Sequence, residues 1–297
     1  MYEIVRKEEL AENIFLMDVK APRVTHSCLP GQFIIAVTGE SGERIPLTIC
    51  DYDREQETVT IVTQDIGAST NEIHCLNEGD CFTDFVGPLG LPSELCEDKN
   101  LEETKKKSIV FIAGGLGTAP VYPQVKWLHE HGVDVTVIMG SRNKELLFFE
   151  DKMKAVAKEV YVTTDDGSYG FHGMGTDQLK ALVAEGKKYD HCVAIGPMIM
   201  MKFVCLLTKE LGIHTIVSMN PIMVDGTGMC GACRLIVDGQ VKFACVDGPE
   251  FDGHLVDFDL AMSRMAQYKT EEGRKKLERE EGKTHHGGCG HCDGGEK

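Results

Sequence analysis

Three things are missing from this chain of 297 residues. No apolar run approaches the roughly 18 residues a membrane-spanning helix needs, which argues against a bilayer protein. Cationic excess is missing too. There are 31 Lys and Arg against 47 Asp and Glu, a formal net charge of -16, whereas nucleic acid and anionic membranes both attract cationic surfaces. The segment Met1-Tyr-Glu-Ile-Val-Arg-Lys7 also lacks the apolar core of a secretory signal. The expectation is a cytoplasmic protein with no nucleic-acid or membrane partner. In that compartment the 12 cysteines read as cofactor ligands or buried thiols before disulfides. No internal repeat is present, and 42% apolar residues suffice for a substantial core in two or three domains.

The cysteines that are patterned stand in Asp225-Gly-Thr-Gly-Met-Cys230-Gly-Ala-Cys233, with Cys245 after a further short stretch. With a cysteine at Asp225, this would be the C-x4-C-x2-C loop that wraps a plant-type [2Fe–2S] cluster. Thiolates suit such a cluster, and a carboxylate is a harder but admissible iron ligand. Gly226, Gly228 and Gly231 tolerate positive φ and let backbone N–H groups approach inorganic sulfide. Arg234 to Ala244 reads as a hairpin about Asp238-Gly239 that returns Cys245 to the loop. A zinc site or three buried thiols are the other readings, although an ordinary zinc knuckle has no use for the glycine-rich loop. Cys28, Cys50, Cys75, Cys81, Cys96, Cys192 and Cys205 have no ligand spacing and read as small buried hydrophobes. Cys289-x2-Cys292, with His285, His286 and His291, is a weaker metal-binding pattern in a glycine-rich tail.

Short β runs at 14–19, 32–37 and 58–63, separated by turn signals, predict a small antiparallel barrel. A charged stretch from Glu94 to Lys107 reads as a linker. Strands at 109–113, 134–139, 160–163 and 192–195 then alternate with helical stretches, the signature of a parallel sheet. Residues 260–281 read as a helix.

Gly114-Gly-Leu-Gly117-Thr118-Ala119-Pro120 follows a strand and opens a helix, where backbone amides meet a pyrophosphate. It departs from G-x-G-x-x-G. Gly140-Ser-Arg142 ends the next strand, where Arg142 reads either as an adenosine contact or as a solvated charge. Gly196-Pro197 ends the last strand, where a nicotinamide is expected. In the barrel, Arg44-Ile-Pro-Leu-Thr48 pairs a guanidinium with a hydroxyl on a strand. Gly67-Ala-Ser-Thr70 starts a short helix as an anion site or a simple N-cap.

In this order, together with Pro30-Gly-Gln-Phe33 and Gly87-Pro-Leu-Gly90, these motifs resemble the signatures of the ferredoxin-reductase-like flavoprotein superfamily over most of residues 1–215. The C-terminal cysteine loop narrows the resemblance to two families. One is the electron-transfer subunit of dihydroorotate dehydrogenase B. The other is the small subunit of NADH-dependent ferredoxin:NADP oxidoreductase, also called sulfide dehydrogenase. The resemblance implies an antiparallel FAD-binding β barrel (1–100), a parallel-sheet α/β NAD(P)-binding domain (101–215), a small [2Fe–2S] domain (216–260), and a helix with a flexible Cys/His-rich tail (261–297). It implies that Arg44, Pro46, Leu47 and Thr48 line FAD, with Arg44 on the pyrophosphate and Thr48 near flavin N5. Val62, Thr63 and Gln64 contribute backbone contacts, and Gly67, Ser69 and Thr70 cap the pyrophosphate.

Two departures stand out. Ile195-Gly-Pro occupies the place of the Cys-Gly-Pro common in the superfamily, and Asp225 replaces the first of four cysteine ligands in the dihydroorotate dehydrogenase subunit. The carboxylate resembles the ferredoxin:NADP oxidoreductase small subunit more. The resemblance implies an electron-transfer subunit: hydride exchanged between NAD(H), or NADP(H), and FAD, then single electrons moved through a [2Fe–2S] cluster held by Asp225, Cys230, Cys233 and Cys245. A larger partner subunit carrying flavin and iron–sulfur centres is implied, as a heterodimer or higher assembly, with ferredoxin reached through the complex. The alternatives are the dihydroorotate dehydrogenase B subunit and a non-catalytic iron–sulfur redox sensor.

Overall fold

A computed structural model describes residues 2–39 and 42–280. Cys289, Cys292 and the histidines around them lie outside the described residues. The chain begins with β1 (Tyr2–Ala11), β2 (Ile14–Lys20), α1 (Pro22–Ser27), β3 (Phe33–Val37), β4 (Ile45–Asp53), β5 (Thr58–Gln64), α2 (Ala68–Cys75), β6 (Cys81–Phe82) and β7 (Asp84–Leu89). These seven strands form one antiparallel sheet in the order β6-β1-β2-β5-β4-β3-β7, a nearly closed barrel. Ile4, Met17, Val19, Ile34, Ile49, Val59, Ile61 and Phe85 fill its interior. Ile34 of β3 and Val59 and Ile61 of β5 are the β-branched residues those strands give to this wall.

The stretch expected as a linker is instead packed. It carries α3 (Leu101–Thr104) and buries Leu95, Cys96 and Thr104, so its charges belong to one face only. The second rhythm runs β8 (Ile109–Gly114), α4 (Thr118–Glu130), β9 (Val135–Ser141), α5 (Glu150–Val156), β10 (Glu159–Thr164), β11 (Phe171–His172), α6 (Gly175–Ala184), β12 (His191–Ile195), α7 (Met198–Leu211) and β13 (His214–Ser218). All six residues of β8 are buried, as a central strand covered on both faces requires.

Beyond β13 come the hairpin β14 (Arg234–Val237) and β15 (Gln240–Phe243), α8 (Ala244–Asp247), β16 (Glu250–Asp252), α9 (Phe258–Met265) and α10 (Lys269–Glu280). The helix expected over 260–281 is thus two helices with a tighter turn at Ala266–Tyr268 between them. Asp238 and Gly239, at φ +50° and +71°, make the hairpin turn that Asp-Gly predicts.

The second sheet runs β11-β10-β9-β8-β12-β13-β16, parallel except for β16. The expected domain boundary at 215/216 falls inside β13, and β16 from the cluster segment completes the sheet edge. Because β9 and β12 flank β8 on opposite sides, the carboxyl end of β8 is a topological switch point, where α/β sheets bind ligands. One core joins all three regions: Phe33 and Ile35 of the barrel, Val110 and Ile112 of the sheet, and Cys233, Leu235 and Cys245 of the cluster segment. Among the described residues no helix is long and apolar enough to cross a membrane.

Candidate functional site

A cleft of about 890 Å³ runs between the barrel and the carboxyl ends of the parallel strands. Its barrel wall includes Pro46, Leu47 and Thr48 on β4 and Val62 and Gln64 on β5. Thr63 faces the other way, since successive strand residues alternate. Its buried hydroxyl hydrogen bonds with His74 Nε2 at 2.9 Å, so only its main chain is offered toward the cleft side.

The opposite wall holds Gly114, Gly115, Gly117, Ala119, Pro120, Gly140, Arg142, Gly196 and Pro197. Thr118 is buried in the first turn of α4. The turn has little slack: a Cβ on Gly117 would lie 2.1 Å from the Ile195 carbonyl oxygen, and one on Gly114 would lie 2.3 Å from Met200 Sδ. The turn therefore seats directly on the end of β12, and only glycine permits that approach. Lys126 on α4 pairs with Asp51 on β4 at 2.8 Å and ties the two walls together.

The short helix expected to start at Gly67-Ala-Ser-Thr70 is α2, which begins at Ala68 with Gly67 as its N-cap. Thr70 Oγ1 accepts from the backbone N–H groups of Ile66 and Gly67, each at 3.1 Å, and Ser69 Oγ donates to Glu43. Glu43 also accepts from Lys275 of α10 at 2.5 Å, and Lys275 and Ser69 hold its carboxyl below the ordinary range. Arg44 donates from Nε to the Val224 carbonyl at 2.8 Å and from Nη2 to the Asp225 carbonyl at 3.4 Å. Glu43 and Lys275 thus stand beside the start of α2, and in this structure Arg44 and Ser69 are both occupied by protein acceptors.

In the cysteine loop, Gly226, Gly228 and Gly231 have φ of +82°, +85° and +67°, which a glycine adopts without strain. Cys233 and Cys245 are buried with their sulfurs 3.2 Å apart, too far for a disulfide. Burial pushes the Cys245 thiol up to about 12, with the neighbouring Cys233 adding to the rise. Cys230 is exposed. The Asp225 carboxylate accepts from Thr227 N at 2.9 Å, Thr227 Oγ1 at 2.7 Å and Met229 N at 3.1 Å, bonds that hold its pKa below the ordinary value. Among the described residues these four side chains do not converge as a ready metal site: two thiols meet, and the other two ligand candidates stand apart. The paired buried sulfurs and the positive-φ glycines nevertheless fit a cluster loop better than a zinc knuckle.

Sequence reasoning missed the cleft residues of the β13 exit, Ser218 to Pro221, together with Met223 and Pro249. The apolar run Thr215-Ile-Val217 before Asn220-Pro221 is the strand-then-turn signal that marks them. Of the seven unpatterned cysteines, Cys75 and Cys81 are only half-buried, and the others behave as the small buried hydrophobes expected. Five are buried, and desolvation raises Cys50 and Cys192 far above an ordinary thiol.

The barrel, the switch-point cleft and the C-terminal loop define the ferredoxin-reductase-like flavoprotein class. Phthalate dioxygenase reductase, described as a modular structure for electron transfer from pyridine nucleotides to [2Fe–2S], shares the fold at 16% identity (TM-score 0.54, covering 80% of this chain and 85% of that one). The structure of an NADH-dependent reduced ferredoxin-NADP oxidoreductase, studied for flavin-based electron bifurcation, matches at 43% identity and TM-score 0.86, covering 94% of this chain and 98% of that one. Residues 220–257 match the family model of the iron–sulfur cluster binding domain of dihydroorotate dehydrogenase B. A dihydroorotate dehydrogenase B (NAD(+)) electron transfer subunit homolog from Thermotoga maritima is 45% identical over 270 residues, 91% of this chain and 92% of its own length. A probable subunit of the same kind from Methanocaldococcus jannaschii is 35% identical over 212 residues, 71% of this chain and 76% of its own length. The chain belongs to this family of electron-transfer subunits, and it is an oxidoreductase subunit.

Proposed function

We propose that this subunit exchanges hydride between NAD(H) and FAD and moves single electrons through a [2Fe–2S] cluster to or from a larger partner, in an NADH-dependent ferredoxin:NADP oxidoreductase. The observation that carries the reading is the single cleft in which Thr48 on the barrel wall and Gly117 and Pro197 on the sheet wall face one space. FAD, when bound, handles both hydride and one-electron chemistry, and a [2Fe–2S] centre carries one electron at a time.

The chain's own residues supply placement. Pro46, Leu47 and Thr48 form an apolar shelf with one hydroxyl for a flavin ring, and Val62 and Gln64 close its side. Ser69 and Thr70 at the start of α2 offer backbone donors to a diphosphate, with Gly67 as the N-cap that opens the helix. Gly114, Gly115 and Gly117, with Thr118, Ala119 and Pro120 at the head of α4, cradle a nicotinamide nucleotide. Gly140 and Arg142 meet its adenosine end, and Gly196 and Pro197 its nicotinamide end. No side chain acts as acid or base in hydride transfer, and Ile195 leaves that end of the cleft without a thiol. Cys230, Cys233, Cys245 and Asp225 hold the cluster.

Asp225 in place of a cysteine and the 43% identical oxidoreductase structure favour this assignment over dihydroorotate dehydrogenase B, which the match of residues 220–257 keeps as the second reading. The test is purification of the native complex, followed by anaerobic titration with NADH and NADPH while flavin and cluster bleaching are recorded. Bleaching by NADH in a complex that reduces ferredoxin supports the assignment. A complex that instead oxidises dihydroorotate supports the second reading, and a colourless chain with no second subunit refutes both.

A further inference from the structure

Arg44 stands immediately before the strand that forms the barrel wall of the cleft, yet its guanidinium reaches a loop 180 residues away. Nε and Nη2 hold the carbonyls of Val224 and Asp225, the entry to the cysteine loop. The same entry is pressed against the barrel at Gly226, where a Cβ would lie 2.7 Å from Ile35 Cδ1 and 2.8 Å from Leu89 Cδ1. Thus the loop is seated on the barrel by a close backbone approach and tethered by one side chain. Among the described residues Arg44 has no carboxylate within ion-pair distance, since its neighbour Glu43 is turned to Ser69 and Lys275. A guanidinium has five N–H donors in a rigid fork, and the two contacts to the loop leave others unused.

We propose that Arg44 is a positioning residue that couples the flavin cleft to the cluster loop: its remaining N–H groups and its charge meet the flavin diphosphate while Nε and Nη2 keep hold of the Val224 and Asp225 carbonyls. This rests on the reading that the barrel wall of the cleft takes FAD. The loop entry already holds this side chain, so a cluster that stiffens the loop keeps Arg44 in place for the diphosphate, and a diphosphate that binds Arg44 in turn steadies the loop entry. Each cofactor therefore binds more tightly in the presence of the other, and thermodynamic linkage requires the two enhancements to be equal.

The test uses the full chain with and without a reconstituted cluster. FAD affinity is measured by quenching of flavin fluorescence, and cluster stability by the amount of a competing iron chelator needed to remove it at equilibrium, with and without FAD. In the unaltered chain the cluster is expected to raise FAD affinity by on the order of tenfold, and FAD to raise cluster retention by the same factor. Arg44→Gln is expected to weaken FAD binding and bring both factors to about one. Arg44→Lys keeps the charge without the fork, so it is expected to retain more of the FAD affinity while losing the coupling. The electron paramagnetic resonance spectrum of the reduced cluster is expected to change on FAD addition in the unaltered chain and not in Arg44→Gln. Coupling that persists in Arg44→Gln, or factors of one in the unaltered chain, overturns the proposal. If the unaltered chain fails to bind FAD at all, the underlying cofactor reading falls instead. Circular dichroism of each variant separates loss of coupling from loss of fold, and Arg44→Lys decides the matter if Arg44→Gln does not fold.

Discussion

Glu250 Oε1 accepts a 2.6 Å hydrogen bond from Gln124 Nε2, while Glu250 Oε2 is buried with no hydrogen-bond partner among the described residues. The contact joins β16 to α4. Ser93, from the segment after the barrel, donates to Gln124 Oε1 at 3.1 Å, so three regions of the chain meet behind the cleft wall at Pro249. Burial raises the Glu250 pKa above its ordinary 4.5 and nearby Glu94 adds to the rise, against the lowering effects of Ser93 and Gln124.

That direction sets the pH dependence. A carboxyl whose folded pKa lies above its unfolded value keeps its proton in the folded state after the unfolded chain has lost it. Its contribution is therefore complete below about pH 4.5 and is lost as pH rises through the folded value, by at most about 1.4 kcal/mol per pH unit. Glu250→Gln cannot ionise, so between pH 5 and pH 8 its stability relative to the unaltered chain is expected to improve as pH rises and to level off once the folded carboxyl has ionised. Urea melts across that range check it, and parallel curves would show that the carboxyl does not titrate on unfolding.

Gly117 and Gly115 make a contrasting pair in the glycine turn. At Gly117, φ is an ordinary -59° and the obstacle is purely steric, the Ile195 carbonyl. Gly117→Ala is expected to cost about 1–3 kcal/mol and to weaken nucleotide binding more than tenfold, because the turn must lift off β12. At Gly115, φ is +54° with nothing within 4 Å of a new Cβ, so Gly115→Ala is expected to cost about 1 kcal/mol through backbone strain alone. Thermal melts and NADH titrations of both variants distinguish steric from conformational need.

Cys233 and Cys245 are the two ligand candidates already brought face to face. Cys233→Ser and Cys245→Ser are each expected to abolish the brown iron–sulfur absorption on reconstitution while leaving FAD binding within a few fold, since serine is a poor iron ligand of nearly the same size. Cys75→Ser, at a partly exposed position on α2 outside the loop, is expected to retain the cluster. Visible spectra and iron content after reconstitution decide it. Equal iron in Cys233→Ser and the unaltered chain would remove Cys233 from the ligand set.

Features that depend on local pattern were legible in the sequence. The all-buried β8, the glycine turn after it and the Asp-Gly hairpin are each encoded within a few residues, and the structure shows all three where expected. The cleft residues Pro46, Leu47 and Thr48 were legible by motif. Long-range partners were not. Nothing near Arg44 in the chain announces Val224, nothing near Ser69 announces Glu43 and Lys275, and β16 is only three residues long, too short for periodicity to reveal that it completes the second sheet. Thr63 illustrates a subtler limit. Both faces of β5 are largely buried, so alternation fixes that Thr63 opposes Val62 and Gln64 but not which of them meets the cleft.

Asp225 carries the sharpest prediction because its carboxylate has two possible employments. In the structure it caps its own loop through Thr227 and Met229, and in the proposed holoprotein it is an iron ligand. Asp225→Asn separates them. An amide oxygen can still accept from the Thr227 and Met229 N–H groups, so the loop persists, but a neutral amide is a far weaker iron ligand than a carboxylate. The expected outcome is a folded chain whose cluster is lost to a chelator at least tenfold faster. Asp225→Cys gives the complementary result: it removes the loop cap yet restores a four-cysteine set, so the cluster is expected to be retained with a shifted absorption spectrum and reduction potential. If Asp225→Asn holds the cluster as firmly as the unaltered chain and Asp225→Cys leaves both spectrum and potential unchanged, Asp225 is a loop cap alone and the fourth ligand lies elsewhere.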